Sequence, residues 1–357
     1  MDRSESNSSY LRPHIQDLVG YVPGTQPEGY GALRLNTNEN PYPPSVKVRV
    51  ALSQILAEDL RFYPDSKATR LRMKIAQNLG VDLQGVVVGN GSDEILRLLI
   101  QAVVEPGQSV VYPGPTYTLY EVMTRLHGAI PEQVAFHSDW SIPESLYGHS
   151  APLVILCNPN SPSGTWVELE SIERLASSLQ GVLVIDEAYA DFAGETASSL
   201  VSTLPNLVVV RTFSKSYSLA GMRVGYAVAS PEVSQGLKKI CDSYNCGTIS
   251  LLLAEAALDH QEAMLANVDR IVQSREHLTK YLELMGFQVP PSRANFVLAR
   301  STTERARLLF EGLVRAGVFV RYFDQPGLDD SLRITVGTSE QNSRLLGVMK
   351  PLMEKLI

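Results

Sequence analysis

Lys215 sits in a stretch whose side chains read as chemistry rather than packing, VVVRTFSKSYSLAGMRVGYAVA over residues 208–229. Val208, Val209 and Val210 are apolar and β-branched enough to predict a buried strand. The run gives way to a polar turn, Arg211-Thr212-Phe213-Ser214-Lys215-Ser216. Gly221-Met222-Arg223-Val224-Gly225 then leads into a second apolar run, Tyr226 to Ala229. A lysine near a cation at a strand end has its amine pKa lowered, which makes it a nucleophile toward aldehydes. Thr212, Ser214 and Arg223 carry the donors that a phosphate needs. Lysine plus phosphate clamp suggests pyridoxal phosphate held as a Schiff base. Alone, such a lysine would be an ordinary solvated side chain, so the elements that position it decide.

Those elements are short, largely apolar runs at Val86–Val88, Ser109–Tyr112, Leu153–Cys157 and Val182–Ile185, alternating with amphipathic segments such as 67–79 and the one from Leu119. Continuous Val/Ile/Leu strands between helices predict an α/β fold, a mainly parallel sheet covered by helices on both faces. In such sheets ligands bind beyond the carboxyl ends of the strands. Gly91, Ser92, Tyr117, Asn158, Asp186, Tyr189 and Lys215 all fall at or just past strand ends, a coincidence that core packing does not produce. Gly89-Asn90-Gly91-Ser92-Asp93-Glu94 reads as strand, glycine turn and helix start, which is either a phosphate site or a plain capped helix. Tyr117 is either core filler or a flat surface for a ring. The polar stretch from Leu35 to Pro43 is either the rim of a pocket or an exposed loop, and the loop is expected. Residues 44–60 have helical spacing.

Residues 236–285 read as largely helical, and the remainder returns to β/α alternation in a smaller α+β lobe. There Arg321 and Arg333 lie in or beside apolar strands, so each needs either a structural carboxylate or a substrate anion. The expected division is an N-terminal segment 1–45 packing with the small domain and a partner subunit, a large cofactor domain 46–250 and a small domain 251–357. Residues 1–10 are expected to be disordered. The 357 residues carry a net charge of −7 and are 44% hydrophobic, which suits a globular chain and not a nucleic-acid binder. No apolar run reaches membrane-spanning length. The polar N-terminus lacks a signal-peptide core, and Cys157, Cys241 and Cys246 show neither a disulfide framework nor zinc spacing. A cytoplasmic protein with no metal, no membrane partner and no nucleic-acid partner is expected.

Taken together, LNTNENPYP, RFYPD, GNGSDEIL, PGPTY, NPNSPSG, DEAYADF, RTFSKSYSLAGMRVG, NF and LRITVGT resemble the fold-type-I pyridoxal-phosphate aminotransferases. The likeness is strongest to the histidinol-phosphate aminotransferases and covers about Leu35 to Thr338. It implies that Lys215 holds the cofactor through its aldehyde as a Schiff base and then moves a proton between the substrate α-carbon and cofactor C4′. Asp186 would pair with the pyridine nitrogen, Tyr189 would bond the ring hydroxyl and Tyr117 would stack on the ring. Gly91, Ser92, Asp93, Thr212, Ser214 and Arg223 would form the phosphate cup. Tyr63 would reach the site of the other subunit in a homodimer. Arg333 would take the carboxylate of glutamate or 2-oxoglutarate, and Arg321, Tyr21 and Asn38 would face the rest of the amino donor. One departure stands out: Ser161 replaces the asparagine usual in this family, so the bond to the ring hydroxyl passes either through water from Ser161 or to Asn158. The same motifs would serve an aromatic amino-acid aminotransferase or a threonine-phosphate decarboxylase. A non-catalytic sensor fused to a DNA-binding module is disfavoured by the short leader before Leu35 and the acidic charge.

Overall fold

The apolar runs pair into one sheet. In a computed structural model, residues 10–22, 24, 27 and 31–356 are described. Strands are numbered in chain order. After β1 (Leu33–Arg34) come β2 (Val86–Gly89), β3 (Ser109–Gly114), β4 (Ile130–Ala135), β5 (Leu153–Cys157), β6 (Val182–Asp186), β7 (Leu207–Thr212) and β8 (Gly225–Val228). The last seven form a sheet in the order β2-β8-β7-β6-β5-β3-β4. All neighbours are parallel except at β8, which runs antiparallel to both β2 and β7.

Alternation along the strands explains why the middle positions of β5, β6 and β7 are all apolar. Val154, Leu156, Leu183, Ile185, Leu207 and Val209 point into one buried cluster, which the helix Thr69–Leu79 joins through Leu71 and Ile75. Their sequence neighbours Leu153, Ile155, Val184, Val208 and Val210 point into another, with the helices Ser92–Val103 and Leu119–His127. A strand apolar on both faces needs cover on both faces, and it has it. The edge strand β4 escaped prediction because Pro131, Glu132 and Gln133 break the apolar pattern, as suits an exposed edge.

A third core belongs to the smaller lobe. There β9 (Phe296–Arg300), β11 (Arg321–Tyr322) and β12 (Ser331–Thr335) form an antiparallel sheet in the order β11-β12-β9, while β1 pairs in parallel with β10 (Val318–Phe319). Leu33 and Leu35 are buried in this core, and so are Tyr189 and Phe192 from the turn after β6. The helix Thr248–Leu258 straddles the expected boundary at residue 250, yet Leu251, Leu253, Ala254, Ala257 and Leu258 pack in the large-lobe core. The small-lobe core takes over from Met264, within the helix Gln261–Leu284. Of residues 1–10, expected to be disordered, all but Tyr10 lie outside the described residues.

Candidate active site

The strand ends of the large sheet open on a cavity of about 250 Å³, closed from the other side by the small lobe. Ser92, Asp93, Tyr117, Ser161, Asp186, Tyr189, Thr212, Ser214, Lys215 and Arg223 line one side. Tyr21, Asn38, Arg321 and Arg333 line the other. None of the six histidines faces it.

Lys215 follows β7, and its Nζ donates to the Thr37 carbonyl at 3.1 Å. Burial, reinforced by the Arg333 cation, lowers its amine to about 8, so a neutral nucleophile is accessible near neutral pH. The loop that carries it is held from two sides. Asn40 Nδ2 donates to the carbonyls of Lys215 and Ser216, at 3.0 and 3.1 Å. Ser216 Oγ donates to Asp191, which is paired in turn with Arg211.

Asp186 ends β6 with 3% of its surface exposed. Its carboxylate accepts from Tyr120 Oη at 2.7 Å and from the Ala188 N–H at 3.2 Å. Burial pushes it up to about 6, with the Tyr120 and Ala188 bonds opposing. Tyr189 Oη accepts from Asn38 Nδ2 at 3.0 Å, and burial pushes its phenol up to about 12. The Tyr117 ring stands at the cavity wall, with Tyr21 (5.8 Å) and Tyr120 (5.5 Å) set edge-on to it.

Helix Ser92–Val103 starts from Gly91, whose φ of 81° suits glycine and which makes no side-chain cap. The first-turn N–H groups therefore face the cavity at the positive end of the helix. Arg223 Nη2 reaches Asp93 at 2.8 Å, and a Cβ on Gly91 would stand 2.6 Å from that guanidinium nitrogen. Thr212 Oγ1 donates to Ser214 Oγ at 3.0 Å, and Ser214 lies 3.5 Å from Arg223 Nη1. Two hydroxyls, an arginine and a helix N-terminus thus converge as donors for one phosphate.

Arg333 crosses the cavity from β12. Its Nη1 donates to Ser161 Oγ at 3.1 Å and its Nη2 to the Asn36 carbonyl at 2.8 Å, while the buried Nε has no partner. No carboxylate pairs with it among the described residues, and burial lowers its pKa. Arg321 donates to the Val22 carbonyl at 3.1 Å, so the segment carrying Tyr21 is tied to β11.

Several expectations change. The stretch from Asn36 to Glu39 is the cavity rim rather than an exposed loop, with Asn36 and Asn38 buried. Asn158 does not reach the cavity: its amide is taken up by the Val167 backbone on both sides, at 2.8 and 2.9 Å. It therefore cannot stand in for the missing asparagine, and Ser161 bonds Arg333 instead. Tyr63 is 80% exposed and stacks on Tyr244 at 4.5 Å, away from the cavity of its own chain. Sequence reading missed Tyr120, Thr37 and Phe323. Only Tyr120 left a signal, a second tyrosine three residues after Tyr117 where the helix begins.

The profile of aminotransferase class I and II matches residues 31–349. The chain belongs to this aminotransferase family. It is 43% identical to histidinol-phosphate aminotransferase 1 of Nostoc sp., over 97% of this chain and 99% of that one. It is 41% identical to the Bradyrhizobium diazoefficiens protein of the same name, over 97% and 100%. Its fold is similar to the crystal structure of histidinol-phosphate aminotransferase from Sinorhizobium meliloti in complex with pyridoxal-5'-phosphate, with a TM-score of 0.90 and 28% identity over 99% of this chain and 100% of that one. In this aminotransferase the donors above fit such a group: an amine for the aldehyde, a carboxylate for the ring nitrogen and a cup for the phosphate.

Proposed function

We propose that this aminotransferase interconverts L-histidinol phosphate and 2-oxoglutarate with imidazole-acetol phosphate and L-glutamate, in histidine biosynthesis. Pyridoxal 5'-phosphate supplies, when bound, an electron sink for negative charge at the substrate α-carbon. The chain's own residues do the rest. Gly91, Ser92, Asp93, Thr212, Ser214 and Arg223 hold the phosphate, and Tyr117 holds the ring face. Asp186 keeps a proton on the ring nitrogen, and Tyr189, oriented by Asn38, meets the ring hydroxyl. Lys215 binds the aldehyde carbon and carries the proton of the α-carbon. Ser161 acts on substrate through Arg333.

The observation that carries the reading is Arg333, a cation in an otherwise satisfied site with its Nε unpaired and no carboxylate beside it. A buried guanidinium is stable in that setting when a substrate supplies the anion. Its position opposite Lys215 suits the carboxylate of glutamate or 2-oxoglutarate, with Arg321 and Tyr21 toward the phosphate and imidazole of histidinol phosphate. Assaying the purified holoenzyme with a donor panel tests the assignment. The expected result is the highest kcat/KM with histidinol phosphate. Far better turnover of phenylalanine or tyrosine would move it to an aromatic aminotransferase, and carbon dioxide release without an oxo acid to a decarboxylase. Borohydride reduction followed by peptide mapping should place the pyridoxyl label on Lys215.

A homodimer in the cytoplasm completes the reading. Val46, Val50, Leu52, Leu56, Leu60, Phe62 and Tyr63 leave large apolar side chains exposed along one segment, a pattern that marks an interaction surface. A second copy would bring Tyr63 to the phosphate cup of its partner. Light scattering that gives the mass of one chain would refute the dimer. No helix among the described residues is long and apolar enough to cross a membrane.

A further inference from the structure

We infer that Tyr120 is a positioning residue for this reaction, its buried phenol holding Asp186 in one rotamer and in its ionised form. Tyr120 lies just past the start of the helix Leu119–His127 and has none of its surface exposed. A buried phenol must place its single proton on an acceptor. Here the acceptor is Asp186 Oδ2, at 2.7 Å, the length of a bond from a hydroxyl to a charged oxygen. The other oxygen, Oδ1, takes the Ala188 N–H. Each oxygen thus has a fixed donor behind it, which leaves the carboxylate no freedom to rotate and turns its remaining lone pairs to the cavity. Tyr120 is a permanent donor because burial and the Asp186 charge hold its pKa well above the usual phenol value.

Other groups face Asp186 as well. The Cys157 thiol of β5 lies against the same phenol, and Asp93 opposes ionisation from the helix Ser92–Val103. Tyr117 and Tyr189 adjoin as neutral phenols. Lys215 favours the charge from the loop after β7. Of the chain's own groups, Tyr120 and the Ala188 N–H are the ones bonded directly to the carboxylate.

The inference rests on the cofactor assignment above, and its test separates the two. Apo-protein is titrated with pyridoxal phosphate between pH 5 and 9, for the wild type and for Tyr120→Phe, which keeps the ring contacts to Tyr112 and Tyr117 at 5.9 and 5.5 Å. Wild-type affinity should fall on the acid side near pH 6 as Asp186 takes up a proton. In Tyr120→Phe that fall should move up by about one to two pH units, with about twofold to tenfold weaker binding at pH 7. Superimposable profiles would overturn the role, as would a lowered melting temperature with an unmoved profile, which is the mark of a merely structural tyrosine. A wild type that binds no pyridoxal phosphate would instead overturn the cofactor assignment. Should Tyr120→Phe fail to fold, 3-fluorotyrosine at position 120 decides. The more acidic phenol should move the acid limb down, and an unmoved limb would sink the inference.

Discussion

Gly225→Ala is expected to damage the phosphate cup from behind. Gly225 opens β8 and pairs with Gly89 of β2 and Thr212 of β7. A Cβ there would stand 2.4 Å from the Ser92 nitrogen, 2.6 Å from the Gly91 carbonyl carbon and 2.9 Å from Ser92 Cα. All three atoms are backbone at the start of the helix that presents its N–H groups to the cavity, so no side chain can swing aside. Ordinary contact begins at 3.4 Å, and strand and helix start must part by about 1 Å, an overpacking worth roughly 1–3 kcal/mol. Losing one charge-assisted phosphate bond adds about 1.5–3 kcal/mol of binding energy, or tenfold and more in cofactor affinity. The assays are denaturant unfolding of apo-protein and titration with pyridoxal phosphate. Gly236→Ala is the control: it lies in the helix Pro231–Ile240 with nothing within 4 Å of its Cβ, and should gain roughly 0.5–1 kcal/mol from helix propensity. A Gly225→Ala protein as stable as wild type, with unchanged affinity, would refute the reasoning.

Three further outcomes are expected. Lys215 keeps its proton to about 10.5 in the unfolded chain but only to about 8 in the folded one. The unfolded state therefore binds more protons between those values, and apo-protein stability should rise with pH across that window relative to Lys215→Met. Parallel stability curves from pH 7 to 10.5 would contradict the buried, neutralised amine. Arg333→Gln should raise KM for 2-oxoglutarate by about 30-fold or more, from the roughly 2–5 kcal/mol cost of removing one partner of a buried charge pair, and an unchanged KM would exclude that contact. Ser161→Ala removes the acceptor at Arg333 Nη1 and should raise the same KM about tenfold with kcat little changed. A fall in kcat alone would mean that Ser161 acts on the reacting centre.

The strands that build the site were legible because burial on both faces left their middles apolar, and the chemical side chains come where those runs stop. Lys215, Asp186 and Tyr189 could be found in that way. Asn36 to Asn38 could not, because a run of amides looks the same in water as in a pocket. What buries it is Asn295, Thr335 and Arg333, nearly three hundred residues later in the chain. Asn158 misled for the opposite reason: a polar residue at a strand end was presumed to serve a ligand, but its amide closes the turn to Val167. Tyr120 was not legible, since its place in the site depends on one hydroxyl and a distance to Asp186 that periodicity does not encode. Where one lobe gives way to the other near residue 250 is not legible either, because helical spacing does not say which lobe a helix packs on.

β1 also bears on the order of events at the ribosome. By the time Val228 has emerged, all seven strands of the large sheet exist, and the helix Thr248–Leu258 that completes their core soon follows. Thr37 and Asn38 still lack a berth then, because β10 and Thr335 have not been translated. A nascent chain can thus own the lysine and the phosphate cup while one wall of the pocket is missing. The pocket is therefore whole only when the small lobe has been made.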